Sequence, residues 1–368
     1  MIIGVPKEIK ISENRVGMTE SGARQLVKEG HTVLIEKDAG VGSGITNEQY
    51  EKVGAKIIDT KKDVYAKADM IMKVKEPLPA EYELMKENQI LYTYLHLAAE
   101  PALTKVLCER KVKSIAYETI QLENGSLPLL TPMSEVAGRM ATQIGAFYLQ
   151  KDHGGKGILM GGVTGVKPAK VTIIGGGVVG TNAAKMAVGL GAHVTILDVN
   201  TARLEYLDDI FNGRCETLFS SVKNIEDSVR ESDLVVGGVL ITGQKAPTLV
   251  SKELVSQMSK GSVVVDVAVD QGGCIETCRP TSHTNPTYEI DGVIHYCVPN
   301  MPGVVPRTST YALTNVTLKY ASMLAAMGVE DAVAKNKPLM KGLNVYNGYV
   351  CYEPVAKDLG MEYRPYKI

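Results

Sequence analysis

The segment that constrains this chain most is residues 170–198, where a strand, a glycine turn, a helix, a second strand and an acid follow one another in fixed order. Lys170–Ile174 reads KVTII, the apolar run of a buried parallel strand. Gly175-Gly176-Gly177-Val178-Val179-Gly180 follows at once and matches G-x-G-x-x-G. A helix is predicted over residues 181–190. The next strand, HVTIL from His193, ends at Asp198, 18 residues past Gly180. That order is the fingerprint of a dinucleotide-binding turn. Gly175 permits the tight turn, Gly177 lets the backbone approach a pyrophosphate, and Gly180 lets the helix pack near the strand. The helix N-terminus offers N–H groups and partial positive charge to phosphates. The Asp198 carboxylate suits ribose hydroxyls and repels a 2′-phosphate, favouring NAD over NADP; Arg203, close by, weakens that preference. Two other glycine clusters lack the spacing of a phosphate loop: Gly40-Val41-Gly42-Ser43-Gly44 and Gly154-Gly155-Lys156-Gly157. They read as flexible or close-packed loops.

Around this segment, short apolar runs alternate with amphipathic stretches over most of the chain, the pattern of parallel α/β sheets. In the first part, strands are predicted at residues 1–5, 32–36, 70–74, 90–94 and 113–117. Helices are predicted at 21–29 and 101–110. A helix at 133–150 and a glycine-rich passage at 154–165 lead into a second set of strands at 170–174, 193–197, 234–237, 262–267 and 293–298. A long helical stretch at 313–327 precedes the tail. With 368 residues, the chain is too long for one ordinary core. The expected fold class is α/β: two domains with doubly wound, mostly parallel sheets, one of them a Rossmann dinucleotide-binding domain. The tail is too short to fold alone, so the first domain is expected to be discontinuous, residues 1–129 plus 308–368, with the nucleotide domain at 130–307.

A net charge of -1 gives no reason to expect nucleic acid or an anionic membrane as partner. No apolar run is long enough for a transmembrane helix, and the start lacks the features of a signal peptide. Six scattered cysteines suit a reduced, cytoplasmic protein. Cys274 and Cys278 are close, but no second Cys/His pair has metal-site spacing, so no metal is expected.

In an open parallel sheet, ligands lie beyond the carboxyl ends of the strands. In the nucleotide domain that rule selects Val239 and Leu240, then Val267, Ala268, Val269 and Asp270, then Val298, Pro299, Asn300 and Met301. Asp270 is the titratable side chain among them; the bland alternative is an aspartate capping a strand end. In the first domain the rule selects Lys75, His96 and the loop carrying Lys7, Glu8 and Arg15. Arg15 can grip a carboxylate through two parallel hydrogen bonds. Lys75 can bind a carboxylate or a carbonyl oxygen. His96 carries an imidazole, a group that can move a proton. By itself each also reads blandly, as a surface lysine or a solvated histidine. Their convergence suits a small carboxylate substrate.

Several blocks are similar to the alanine dehydrogenase family: GVPKEIK, KVKEPLP, TYLHLAAEPALTKVL, LLTPMSEVAGRMATQIGA, VTIIGGGVVGTNAAKMAVGLGA, DVAVDQGGC and HYCVPNMPGVVPRTST. The resemblance is strong over residues 1–325 and looser in the tail. It implies reversible NAD-dependent deamination of L-alanine to pyruvate and ammonium, a homohexamer, and NAD in the cleft between domains. It also implies Arg15 and Lys75 as substrate-binding residues and His96 and Asp270 as the catalytic pair, without saying which holds the key proton. NAD contacts would come from Ser134, Asp198, Arg203, Ser220, Val239, Leu240, Arg279 and the segment Val298, Pro299, Asn300 and Met301, beside the Gly175–Gly180 turn. The chain departs from the family pattern at Gly17, Met18, Glu20, Thr164, Ser221, Pro299 and Val304, none of them an expected catalytic side chain. A transhydrogenase nucleotide-binding part, a saccharopine-type dehydrogenase and a non-enzymatic NAD sensor are the rival readings. Arg15, Lys75 and His96 together speak against the first, and a sensor has no need of a cationic edge.

Overall fold

The computed structural model describes residues 1–239, 246–269 and 272–367. Leu240 and Asp270 lie outside the described residues. The strands are β1 (Ile2–Val5), β2 (Thr32–Glu36), β3 (Lys56–Ile58), β4 (Met70–Met72), β5 (Ile90–Thr93), β6 (Lys113–Ala116), β7 (Lys170–Ile174), β8 (His193–Asp198), β9 (Glu216–Phe219), β10 (Leu234–Gly237), β11 (Val263–Asp266), β12 (Thr287–Ile290), β13 (Val293–Tyr296), β14 (Leu343–Tyr346) and β15 (Tyr349–Val350). The chain divides into two units, Met1–Met133 with Gly303–Ile368, and Ser134–Pro302.

The first unit holds an eight-stranded sheet ordered β15-β14-β6-β5-β4-β1-β2-β3. Strands β1 to β6 are parallel, and β14 adds to β6 antiparallel. The strand order reverses between β1 and β4. At such a reversal the connections leave to opposite faces of the sheet, and ligands bind beyond the carboxyl ends of the strands. The second unit holds a seven-stranded sheet ordered β12-β13-β11-β10-β7-β8-β9, parallel except for the antiparallel β12. Its reversal falls between β7 and β10, beside the glycine turn. Both sheets are doubly wound and mostly parallel, as expected. The central strands are largely apolar because helices cover both faces: β10 and β11 are buried at every residue, including Asp266 at the end of β11.

Four strands in this list have no counterpart in the expected set, apart from the tail strand β15. β3, β9, β12 and β14 are three or four residues long and carry charged or polar side chains. β3, β9 and β12 are edge strands, packed on one side only, so they lack the continuous apolar run that marked the others. The tail turns back through β14 to pair with β6. The long helix spans Pro306–Lys335, more than the 313–327 expected. It breaks at Gly328, whose φ of 76° and ψ of 178° lie outside helical space. Local side chains cap several helices. Thr19 accepts from the Gly22 N–H at the start of helix Glu20–Lys28, and Thr46 and Gln49 form a capping box.

Candidate functional site

In the second unit the helix after the glycine turn begins at Val178, earlier than expected, with Gly177 as its N-cap. The amides of Val178, Val179 and Gly180 are therefore first-turn groups with no partner inside the helix. Gly175 has φ +97°, which a side chain resists. A Cβ at Gly180 would stand 1.8 Å from the Gly175 carbonyl oxygen. A Cβ at Gly177 would meet nothing within 4 Å, so that glycine faces open space. An open cradle edged by unpaired amides fits a pyrophosphate.

The acid closes the same turn. Asp198 Oδ2 accepts from the Gly176 N–H at 2.7 Å, and Oδ1 accepts from Asn200 N–H at 2.8 Å. Arg203 donates through Nε to the Gly176 carbonyl at 2.6 Å and through Nη2 to Thr181 Oγ1 at 2.7 Å, and it stacks over Tyr206 at 4.7 Å. Its guanidinium is thus built into the turn. The charge that weakened the NAD preference in sequence is bound to the loop itself.

The other nucleotide-side residues fall along the carboxyl edge of this sheet. Val239 follows β10 and lies against Gly175. Val267, Ala268 and Val269 follow β11, and Val298, Pro299, Asn300 and Met301 follow β13. Asn300 takes the left-handed conformation, φ 60°. Ser220 follows β9, its N–H bonded to the Asp198 carbonyl at 3.0 Å. Ser134 lies one turn before Gly138, where a Cβ would stand 2.1 Å from the Val179 carbonyl, so it shares the helix face that meets the glycine turn. Arg279 stacks on Tyr288 at 4.4 Å.

Adding one methyl group in Gly180→Ala forces the Gly175 carbonyl out of place. Affinity for NADH, read by fluorescence titration, is expected to fall by at least about tenfold, or about 1.4 kcal/mol. Unchanged affinity would mean that the turn does not carry the nucleotide.

In the first unit, Lys75, His96 and Arg15 all lie beyond the carboxyl ends of β4, β5 and β1, as the sequence suggested. Each is held by a carboxylate. Glu13 binds Arg15 in parallel, Oε1 to Nε at 2.6 Å and Oε2 to Nη2 at 2.5 Å, and Arg15 Nη1 points at Met133 Sδ at 3.2 Å. Arg15 is only 2% exposed. Burial, the largest influence, pulls the guanidinium pKa down, but the Glu13 bonds and charge outweigh it and leave it raised. The Nε–Nη2 edge, one of the two edges that could grip a carboxylate, is the one Glu13 occupies.

Lys75 is held by its backbone. Its N–H donates to Glu8 Oε1 at 3.3 Å and its carbonyl accepts from Thr93 Oγ1 at 3.1 Å. Glu8 Oε1 also accepts from Val74 N–H at 2.7 Å, while Oε2 accepts from Lys73 Nζ at 3.0 Å. Lys73 is fully buried and reaches Glu81 Oε1 as well, also at 3.0 Å. Burial alone would strip its proton; the two carboxylates overcome that and hold it charged. The Lys75 ammonium goes the other way. Burial first, then the neighbouring Arg15 charge, hold it below the ordinary lysine range.

His96 is exposed and adopts a left-handed backbone, φ 49° and ψ 39°. Its ring stacks on Tyr94 at 5.9 Å between centroids, and the Tyr94 hydroxyl donates to the Leu129 carbonyl at 2.6 Å. Its N–H donates to Glu118 Oε1 at 2.7 Å. The supporting residues Glu13, Tyr94 and Glu118 were not singled out from sequence. Glu13 had a faint signal, an acid two positions before an arginine. Glu118 had none, because it comes from the end of the next strand.

Fold and site define a class: a two-unit α/β protein with a dinucleotide-binding turn in one unit and a cationic, histidine-bearing crevice in the other. The N-terminal domain of the family described as alanine dehydrogenase/PNT matches residues 4–137, and its C-terminal domain matches residues 141–353. The chain belongs to the alanine dehydrogenase family. An alanine dehydrogenase of Methanococcus maripaludis is 62% identical over 366 residues, covering 99% of this chain and 98% of its own. One from Bacillus subtilis is 61% identical, covering 99% of this chain and 96% of its own. A solved L-alanine dehydrogenase superposes with TM-score 0.96 at 55% identity, over 98% of this chain and 99% of that one. A transhydrogenase from Sinorhizobium meliloti shares the fold, with TM-score 0.82 at 24% identity, over 96% and 99%. The family is one of dehydrogenases, which work with a nicotinamide cofactor.

Proposed function

We propose that this chain is an L-alanine dehydrogenase that reversibly converts L-alanine to pyruvate and ammonium, with NAD as its cofactor. One observation supports the reading: Arg15, Lys75 and His96 all follow the carboxyl ends of the adjacent strands β1, β4 and β5, and the Arg15 charge bears on Lys75. Arg15 and Lys75 hold the substrate carboxylate. Glu13 fixes the guanidinium plane beforehand, so little order is lost when the substrate arrives. His96 takes the amine proton and helps water add to the imine carbon. Asp270 is the partner that the family resemblance assigns, as a charge-stabilising or water-orienting group. When bound, the nicotinamide accepts the hydride that leaves Cα. NAD is favoured over NADP because Asp198 sets a negative charge where a 2′-phosphate would lie and Arg203 is tied to Gly176 and Thr181. A homohexamer and a cytoplasmic location follow from family resemblance and cysteine usage.

The test is a turnover assay. Protein with NAD and L-alanine should generate NADH, and pyruvate, ammonium and NADH should consume it. Folded protein inactive in both directions would end the proposal. Activity with NADP equal to that with NAD would remove the role given to Asp198.

Lys75 gives this activity a pH signature. A carboxylate prefers the charged ammonium, so above the Lys75 pKa binding must take up a proton. That pKa lies below the ordinary lysine value of 10.5. The KM for pyruvate should therefore climb with alkaline pH before ordinary lysine titration begins, approaching about tenfold per unit. In Lys75→Arg, whose side chain stays charged, KM should be flat over the same range. Parallel profiles for the two proteins would show that Lys75 does not bind the carboxylate.

A further inference from the structure

The backbone of His96 is left-handed, at φ 49° and ψ 39°. An L-residue with a full side chain adopts that conformation only when its surroundings impose it. The side chain cannot be what imposes it, because the ring is exposed and only stacks on Tyr94. The turn is held on its carbonyl side by the Ala99 N–H, which donates to the His96 carbonyl at 2.9 Å, and on its amide side by Glu118, half-buried just past β6 and twenty-two residues along the chain. Glu118 Oε1 accepts from His96 N–H at 2.7 Å and from Leu95 N–H at 3.2 Å, and Oε2 accepts from Leu95 N–H at 3.3 Å. Leu95 is fully buried, which anchors the other side of the same peptide. One carboxylate therefore holds two successive amides in the turn that aims the imidazole.

We infer that Glu118 is a positioning residue for catalysis: it holds His96 in its left-handed turn and so sets where the imidazole proton is delivered. The inference rests on the reading of His96 as the proton-moving group. It concerns the shape of the turn, and needs no negative charge. A single oxygen at the Oε1 position reaches both amides, so glutamine can replace glutamate while alanine cannot. Aspartate keeps the charge but withdraws the oxygens by one methylene.

The experiment compares Glu118→Ala, Glu118→Gln, Glu118→Asp and His96→Ala in the full chain. Rates are expressed per NADH-binding site, so unfolded protein does not count. Glu118→Ala should lose about 10²-fold in kcat, the scale of a 1 Å misplacement, with KM for pyruvate changed by less than about threefold. Glu118→Gln should keep at least about a third of the parent kcat, and Glu118→Asp should resemble alanine. Amide hydrogen exchange supplies a readout independent of turnover. Leu95 and His96 should exchange faster in the alanine and aspartate variants and remain protected in the glutamine variant. If Glu118→Ala fails to fold, the aspartate and glutamine pair decides by the same criteria. A Glu118→Ala or Glu118→Asp enzyme that keeps its kcat overturns the inference. So do equal losses in the alanine and glutamine variants, or unaltered exchange in the alanine variant. Exchange that behaves as stated alongside a fully active His96→Ala would instead sink the role given to His96, leaving Glu118 a support of the turn alone.

Discussion

Replacing His96 with alanine is expected to lower kcat for alanine oxidation by about 10²–10⁴-fold, the usual contribution of a positioned acid–base group. NADH affinity should stay within about twofold, because the Gly175–Gly180 turn suited to the nucleotide is built within the other unit. The ring is exposed, and its one aromatic neighbour, Tyr94, is itself fixed by Leu129. Removing the imidazole thus leaves no core cavity, and thermal stability should hardly move. Added imidazole should restore part of the rate, since the vacated position is open to solvent. Equal losses of kcat and NADH binding would mean that His96 supports structure and does not move a proton.

The second large effect concerns stability. Lys73→Met should destabilise the chain by about 3–5 kcal/mol, as expected when one partner of a buried ion pair is removed. The ammonium is fully buried and bonds Glu8 and Glu81 at 3.0 Å each. Without it, the buried Glu8 and Glu81 carboxylates face each other, with the Lys61 ammonium 3.6 Å from Glu81 left as a more distant countercharge. Burial already holds the Glu8 carboxyl above the ordinary range, and losing the Lys73 charge raises it further, so the loss is relieved at acid pH and grows as pH rises from the unfolded value to the raised one. The denaturant midpoint of Lys73→Met relative to the parent should therefore be lower at pH 8 than at pH 5. A pH-independent difference would show that the carboxylates find other partners. Substrate KM should rise as well, because Glu8 is the same carboxylate that holds the Val74 and Lys75 amides.

Both predictions depend on residues whose importance the sequence revealed unevenly. The nucleotide turn was legible because every part of it is local: strand, glycines, helix start and acid lie within residues 170–198. Arg15, Lys75 and His96 could be placed because strand ends can be read from apolar runs, and ligands gather beyond carboxyl ends. The residues that hold them were not legible. Glu118 meets His96 across two strands, and Lys73 is a lysine in a strand that looked ordinary, buried by partners at positions 8 and 81. Nothing in local periodicity encodes such pairings. The same limit hid β9 and β12, edge strands whose exposed faces break the apolar run, and the early start of the helix at Val178, where glycine-rich sequence gives little propensity. The surroundings of Arg203 were hidden for a related reason. Its charge was visible, but its bonds to Gly176 and Thr181 were not.

In the proposed reaction, hydride passes directly from Cα of alanine to the nicotinamide. L-Alanine carrying deuterium at Cα, incubated with the protein and NAD in ordinary water, tests this in one measurement. The NADH formed should carry that deuterium at the nicotinamide ring, seen as a mass shift in the isolated nucleotide. NADH that forms without the label, or no NADH at all from folded protein, would contradict it.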